Sequence, residues 1–160
     1  MSPSQWKVIS NDPIEKVYEN STSFNDEIKS FGCESTFENL FKEDIKFEKF
    51  LQTERISTYL YAFVVGPYEF IEYDGKDKDQ YAPLKLYAWK SFIKYVDANM
   101  FFQLTKSGMD YYADFFGIPY PFRKYDQLFV PEFNSGAMEN VGCVTFNESY
   151  IPRGDSFPQS

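Results

Sequence analysis

A single carboxylate stands among small residues late in this sequence. Glu139 lies in "EFNSGAMENVG", residues 132–142, between two apolar runs that have the composition of strands. A carboxylate in such a loop could bind a cationic amine, act as a base, coordinate a hard metal ion or cap a helix. The glutamate alone does not choose among these roles, and a merely solvated or capping side chain stays open as the structural alternative.

The neighbours of Glu139 favour a binding role. Gly136 and Ala137 leave the backbone on one side of Glu139 open to close approach. The strand expected at residues 141–146 has an edge that could pair with an extended peptide. The loop could therefore hold the main chain of a peptide together with its terminal charge.

The composition excludes several kinds of site. The chain has no histidine, which excludes Ser-His-Asp and Cys-His nucleophile pairs and any imidazole metal site built from this chain alone. Its two cysteines, Cys33 and Cys143, are far apart in the sequence. They indicate neither a disulfide framework nor a thiolate metal site, and we expect two reduced thiols.

The charge balance excludes two classes of partner. The chain has 24 Asp and Glu against 16 Lys and Arg, a formal net charge of −8. That charge repels phosphate backbones and anionic lipid, so neither nucleic acid nor a membrane is an expected partner. No apolar run approaches the roughly 20 residues of a membrane-spanning helix, and "MSPSQWKVIS" lacks the features of a secretion signal. We expect a soluble, cytoplasmic protein.

The hydrophobic pattern predicts strands first and a mixture of helix and strand later. Length fits one domain, and an aromatic content of 21% is too high for a disordered chain. β-branched and aromatic residues predict antiparallel strands in the first half. The ranges are 6–10, 45–52, 55–66 and 68–73. Residues 14–43 are weakly patterned, with Phe37, Leu40 and Phe41 forming either a helical face or the anchors of a surface excursion.

After a strand at residues 84–89 the period changes to that of a helix. One helical face is lined by Phe92, Ile93 and Val96. A second is lined by Phe101, Leu104, Gly108, Tyr112 and Phe115. Gly117 and Pro119 predict the end of this helix. Strands are expected again at residues 127–131 and 141–146, and a boundary between the halves is expected within residues 73–83.

Several blocks of this sequence resemble the M1 zinc aminopeptidases, or gluzincin aminopeptidases, of the aminopeptidase N and puromycin-sensitive type. The resemblance rests on "GAMEN" at residues 136–140, "YDQLFVPEF" before it and "VGCVTFNESYI" after it. Upstream, "YYADFFGIPYPF", "ISTYLYAFVVG" and "ISN" resemble the family as well. The blocks occur in the family's order and cover most of the chain outside residues 14–43.

The resemblance implies roles for the five residues of "GAMEN". Glu139 would bind the free α-amine of a peptide, and the backbone around Gly136 and Ala137 would pair with the substrate main chain. Met138 and Asn140 complete the implied substrate-binding set. A buried carboxylate suits this task because its attraction to an ammonium group is strong only where water is excluded. An internal peptide bond offers no such charge, which is why the family acts as exopeptidases.

The resemblance also implies an α+β fold in two parts. Residues 1–80 would be the C-terminal strands of an antiparallel N-terminal β-domain, and residues 81–160 the first part of a thermolysin-like catalytic domain. The family's zinc is held by H-E-x-x-H and a distant Glu, and this motif is expected beyond Ser160. We therefore expect zinc in the parent family, no metal on this chain alone, and no catalytic residue or peptide hydrolysis from these 160 residues.

Three functional hypotheses follow. The first is a segment of a zinc aminopeptidase that binds peptide N-termini. The second is a catalytically inactive remnant that acts as a structural or protein-binding module, with a protein partner covering open sheet edges. The third is an unrelated β-rich binding module in which Glu139 is only solvated.

Overall fold

A computed structural model of the chain describes residues 2–18, residue 29 and residues 45–151. The regular elements of these residues are short strands and one long helix. The strands are β1 Ser2–Pro3, β2 Lys7–Ser10, β3 Ile14–Tyr18, β4 Ile45–Phe50, β5 Phe63–Gly66, β6 Tyr68–Glu72, β7 Leu84–Trp89, β8 Tyr125–Val130, β9 Ala137–Met138 and β10 Cys143–Asn147. The helix, α1, is Ala98–Phe116.

A five-stranded sheet carries the loop that contains Glu139. Its strand order is β6-β7-β8-β10-β9. The central strand β8 is parallel to both β7 and β10, whereas β6 and β9 pair antiparallel with their neighbours at the two edges. All but the first and last residues of β8 are buried, which is the pattern of a strand covered on both faces.

Helix α1 covers one face of this sheet. Its start is capped by the Asp97 carboxylate, which accepts a hydrogen bond of 3.1 Å from the backbone N–H of Met100. It ends at Gly117, whose φ of 69° lies in the left-handed region that glycine favours. A core joins the helix to the sheet and consists of Leu84, Leu86, Ala88, Val96, Phe102, Phe129 and Ile151.

The long helix was predicted, but its predicted apolar face is mostly exposed. Leu104, Tyr112 and Phe115 are 64%, 57% and 66% exposed, and the buried residues of α1 are Phe102 and Lys106. The apolar residues of α1 are not confined to the face that packs on the sheet, and they cover more of its circumference. We call the exposed set the α1 apolar surface: Leu104, Tyr111, Tyr112, Phe115, Phe116 and Ile118. The helical face expected at residues 92–96 is only a 3-10 turn, Ile93–Tyr95.

An antiparallel ribbon of β2 and β5 covers the other face of the five-stranded sheet. Side chains alternate along β8, so Phe129 packs with α1 while Leu128 packs with the ribbon. This second core consists of Ile9, Ala62, Tyr68, Tyr87, Leu128 and Cys143. The sheet is therefore the middle layer of three. The strands β1, β4 and β3 form a separate antiparallel sheet.

Two strand predictions need correction. The strand expected over residues 55–66 is shortened to β5, because Thr58–Leu60 forms a 3-10 turn. The Leu60 carbonyl in this turn accepts from side chains rather than from a neighbouring strand. The strand β3 lies at the start of residues 14–43, where no strand was predicted. Four of its five residues are exposed, so its sequence lacks the apolar pattern that would have indicated a strand. The possible helical face at Phe37, Leu40 and Phe41 lies outside the described residues.

The described residues form mixed sheets and one long helix, which agrees with the expected α+β class. The predicted division at residue 80 falls in the loop between β6 and β7. These two strands pair over five residues each, from Tyr68 with Trp89 to Glu72 with Lys85. The five-stranded sheet therefore contains strands from both sides of that division.

A cluster of polar side chains fastens the loop after β6 to α1. The Lys106 ammonium group donates to Tyr73 Oη at 2.6 Å and to Asp77 Oδ2 at 2.5 Å. The Tyr73 hydroxyl also donates to the Asp77 carboxylate. The hydrogen bond from Lys106 is the largest of the causes that lower the pKa of Asp77. The same bond is the largest cause that raises the pKa of Lys106.

We predict that Asp77→Asn destabilises the fold near neutral pH but not in strong acid. Because the folded-state pKa of Asp77 is lowered, its contribution is present above its ordinary pKa of 3.8 and is lost as the pH falls through the folded-state value. Urea unfolding of both proteins from about pH 7 to about pH 2 measures this difference in unfolding free energy.

The matched control is Asp74→Asn. Asp74 also pairs with a lysine, Lys78, but its side chain is 85% exposed, so its removal should matter less. The difference in unfolding free energy between wild type and Asp77→Asn should shrink in strong acid. A difference that stays constant would show that it does not come from the ionised Asp77 carboxylate.

Candidate functional site

The Glu139 loop connects β8 to β10 at one edge of the five-stranded sheet. Within it, β9 pairs antiparallel with β10, with Ala137 opposite Phe146 and Met138 opposite Thr145. The base of the loop is fixed by Asn147, whose backbone N–H donates to Gly136 O at 2.8 Å and whose side-chain amide donates to Phe133 O at 2.6 Å. The sequence therefore specifies an edge strand whose outer side is free of any other described strand.

The five residues expected to bind substrate are consecutive, but they differ in exposure. Gly136, Ala137 and Glu139 are exposed, Met138 is half-buried and Asn140 is buried. A methyl group at Gly136 would lie 3.0 Å from Tyr150 Oη, so the hydroxyl of Tyr150 closes one side of the loop. The place of Tyr150 within "NESYI" carries no signal in the sequence for this role.

The burial expected for Glu139 is not observed. Its side chain is exposed to solvent, so water screens its attraction to a cation. The resemblance implies a carboxylate shielded from water, and the described residues do not provide that shield. As it stands here, Glu139 offers an accessible acceptor for an ammonium group, with the modest strength of a surface charge.

Asn140 holds the carboxyl side of Glu139 in place. Its Oδ1 atom accepts from Thr145 Oγ1 at 3.2 Å, and its Nδ2 atom donates to Leu60 O at 3.4 Å. Its backbone carbonyl accepts from the N–H of Cys143 at 3.0 Å, which closes the turn into β10. Asn140 therefore acts as a structural anchor whose side chain contacts protein rather than solvent.

The same turn is fastened to the N-terminal strands by Asn11, the last residue of "ISN". Asn11 Nδ2 donates to Val141 O at 2.8 Å and to Leu60 O at 2.9 Å, while Asn11 Oδ1 accepts from Ala62 N at 2.9 Å. Both N–H groups of this buried side-chain amide therefore donate, and its oxygen accepts one hydrogen bond. In the sequence, "ISN" is part of the family resemblance, but nothing there indicates this role for Asn11.

A buried lysine makes a second connection. Lys124 Nζ donates to Gly142 O at 2.7 Å, to Ser10 O at 2.8 Å and to Asp126 Oδ2 at 2.6 Å. The side chains of Lys124 and Asp126 are 10% and 4% exposed. Burial raises the pKa of Asp126, and the Lys124 charge opposes that shift. Neither residue was singled out from the sequence, because a lysine in a loop usually lies in solvent.

A cleft of about 870 Å³ lies between the β2–β5 ribbon and this loop. The residues lining it include Tyr61, Phe63, Phe133, Met138 and Asn140. Glu139 does not belong to this lining, although its neighbours Met138 and Asn140 do. Another residue that lines the cleft, Glu132, has an unusual backbone conformation with a φ of 51°. Non-glycine residues in this region are strained and occur often at functional sites.

Cys143 follows the loop directly but is not a reactive group. Its side chain is buried in the core between ribbon and sheet. Burial raises the pKa of the thiol to about 12, so it stays protonated at neutral pH. It is a free cysteine, as expected, and Cys33 lies outside the described residues.

The described residues do not form a metal site. No three His, Cys, Asp or Glu side chains among them lie close enough together to hold an ion. The chain also contains no histidine, so the donors that the family resemblance implies for zinc are missing. In residues 2–18 and 45–151, no helix has both the length and the apolar character needed to cross a bilayer.

Residues 100–155 match the Peptidase family M1 domain. Aminopeptidase N of Streptomyces lividans is 36% identical over 152 residues, which cover 95% of this chain and 15% of that protein. Human aminopeptidase N is 34% identical over 103 residues, 64% of this chain and 10% of that protein.

A third relative is the probable M1 family aminopeptidase 1 of Encephalitozoon cuniculi, 36% identical over 117 residues. The match covers 68% of this chain and 13% of that protein. The chain thus spans between 10% and 15% of the length of these three curated relatives.

We predict that Gly142→Ala destabilises the fold far more than Gly117→Ala. Both glycines have a positive φ, 65° and 69°. A methyl group at Gly142 would lie 2.3 Å from Asn11 O, whereas nothing lies within 4 Å of one at Gly117. We expect a cost of about 1 kcal/mol for Gly117→Ala and at least about 3 kcal/mol for Gly142→Ala.

Urea unfolding of both variants beside the wild type measures these costs. Equal losses of unfolding free energy in the two variants would contradict this prediction. They would show that the close approach of Asn11 O to Gly142 adds nothing to the cost of placing alanine at a positive φ.

Proposed function

The chain belongs to the M1 family of peptidases, and from that premise we propose that it is a segment of an aminopeptidase whose Glu139 loop binds the N-terminal end of a peptide. One observation carries the proposal: an open edge strand, β9, leads directly into an exposed carboxylate. An extended peptide that pairs with β9 would add a strand to the sheet. Its terminal ammonium group would then meet Glu139.

The pairing geometry supports a role for the backbone in this binding. Among the described strands, Ala137 and Met138 pair with β10 alone, so no described strand occupies the backbone groups on their other side. Their side chains are small or flexible, and Ala137 is exposed. Main-chain hydrogen bonds would supply affinity with little regard to sequence, while Glu139 would select for a free α-amine.

The domain arrangement and the metal follow from the same family relationship. We propose that residues 1–80 correspond to the end of an N-terminal β-domain and residues 81–160 to the start of a thermolysin-like catalytic domain. Zinc would be held by donors outside this chain, since the chain has no histidine and its described residues form no metal-binding group. In the complete enzyme the metal would provide an activated water molecule. The cytoplasmic location stays a prediction.

A second candidate function is that of a structural or protein-binding module. The α1 apolar surface favours it, because six large apolar side chains are exposed together on one helix and the turn after it. A cavity of about 600 Å³ opens beside this surface, between α1 and residues 118–125. A module of this kind would keep its partner when Glu139 is changed, whereas the substrate-binding role would be lost.

We predict that Glu139→Gln abolishes a preference for free over acetylated peptide N-termini. The test is an NMR titration of the ¹⁵N-labelled chain with leucyl-leucine amide and with its N-acetyl form. An exposed ion pair contributes up to about 1 kcal/mol, so the wild type should bind the free amine about fivefold more tightly. In the variant the two affinities should be equal.

The matched control for this titration is Glu132→Gln. It removes an equal charge from the same loop, so it should keep the preference if Glu139 alone meets the amine. Loss of the preference in both variants would mean that general negative charge attracts the peptide. No preference in the wild type would overturn the proposed function.

We further predict that the 160-residue chain does not hydrolyse peptides, with or without added zinc. It lacks histidine ligands, and its described residues form no metal-binding group. Release of free leucine from leucyl-leucine amide measures the activity. Zinc-dependent release that disappears in Glu139→Gln would contradict the prediction, because a contaminating peptidase would not respond to that substitution.

A further inference from the structure

Three segments distant in the sequence meet at the ammonium group of Lys124. Its acceptors are the carbonyl of Ser10 at the end of β2, the carboxylate of Asp126 in β8, and the carbonyl of Gly142 in the turn after Glu139. An ammonium group has three donors, and each is used once. Lys124 therefore connects the ribbon, the sheet and the candidate site at a single atom.

Burying the ammonium group of Lys124 costs free energy, so its position needs an explanation other than stability. Removing an ammonium group from water is costly, and a buried ion pair usually stabilises a protein no more than apolar residues would. The pair is also incompletely satisfied, because Asp126 Oδ1 is buried with no hydrogen-bond partner among the described residues. Such polar groups are best explained by the geometry that they specify.

That geometry is the position of the turn that follows Glu139. Lys124 holds Gly142 O, and Asn11 holds the adjacent Val141 O at 2.8 Å. Two successive carbonyls of the turn are thus fixed by side chains from other segments. The positive φ of Gly142 allows this close approach. Glu139 is three residues away along a chain whose next residue, Asn140, is itself anchored.

We propose that Lys124 is a positioning residue for Glu139. By fixing the turn 140–142 against the β2–β5 ribbon, it sets where the Glu139 carboxylate stands relative to the open edge of β9. The ribbon would then contribute to substrate binding by fixing the turn that follows Glu139. This inference rests on the proposed function, since it concerns how the same carboxylate selects a free α-amine.

The test uses the double variant Lys124→Met/Asp126→Asn. Removing both charges avoids leaving a lone carboxylate in the core, which is the usual cause of unfolding when one partner is lost. The matched control is Lys106→Met/Asp77→Asn. Lys106 is also a paired lysine, with 10% of its side chain exposed, but it lies on α1 on the opposite side of the sheet.

The first readout is the ratio of affinities for leucyl-leucine amide and its N-acetyl form. The expected wild-type ratio of about five should fall to about one in the Lys124 double variant and persist in the Lys106 double variant. Persistence in the Lys124 variant would overturn the inference. Loss in both variants would also overturn it, because general loosening of the fold would then explain the effect.

The second readout is amide hydrogen exchange, which does not depend on the proposed function. The Cys143 N–H closes the turn on Asn140 O, and Leu86 in the core of β7 is the reference. In the Lys124 variant the exchange of Cys143 should rise at least about tenfold relative to Leu86, and the Lys106 variant should show no change. An unchanged ratio in the Lys124 variant would overturn the inference.

The two readouts separate the possible failures. If the wild type shows no preference for the free amine, the proposed function fails and the exchange ratio alone decides whether Lys124 positions the turn. If the Lys124 variant does not fold, exchange in the wild type decides. Cys143 exchange within about a hundredfold of that of Leu86 would support a fixed turn, and faster exchange would overturn it.

Discussion

The candidate site depends on a buried polar joint between the β2–β5 ribbon and the turn after Glu139. The ammonium group of Lys124 and the side-chain amide of Asn11 donate hydrogen bonds to backbone carbonyls of different segments. Apolar packing alone would hold the ribbon on the sheet but would tolerate sliding, since it is not directional. Hydrogen bonds to Val141 O and Gly142 O fix the turn in one register.

The structure shows two features of the recognition site that we propose. The edge of β9 and the Glu139 carboxylate are accessible, and accessibility is also what weakens them, because solvent competes for each hydrogen bond and screens the charge. The α1 apolar surface shows the same incompleteness on the other side of the sheet. Both features make sense if further protein covers them, which would exclude water from Glu139 and bury the aromatic side chains of the helix.

The sequence predicted the elements better than their connections. Alternation in "LKLYAW" and the stop at Gly117 have local causes, and both appear in the structure. The polar joint could not be predicted, because Asn11 and Val141 are 130 residues apart and the charge of Lys124 gives no sign of burial. Glu139 was singled out from its loop of small residues, and the resemblance implied its role toward an α-amine. Its exposure was missed, since burial depends on parts of a protein that a motif does not contain.

The central claim, that Glu139 meets the α-ammonium group of a peptide, is tested most directly by the pKa of that amine. A peptide with ¹⁵N at its N-terminus, leucyl-leucine amide, can be titrated by NMR free and in the presence of saturating chain. A nearby carboxylate favours the charged form, so binding should raise the pKa of the amine, and Glu139→Gln should remove the increase. An unchanged pKa, or an equal increase with both proteins, would contradict the claim.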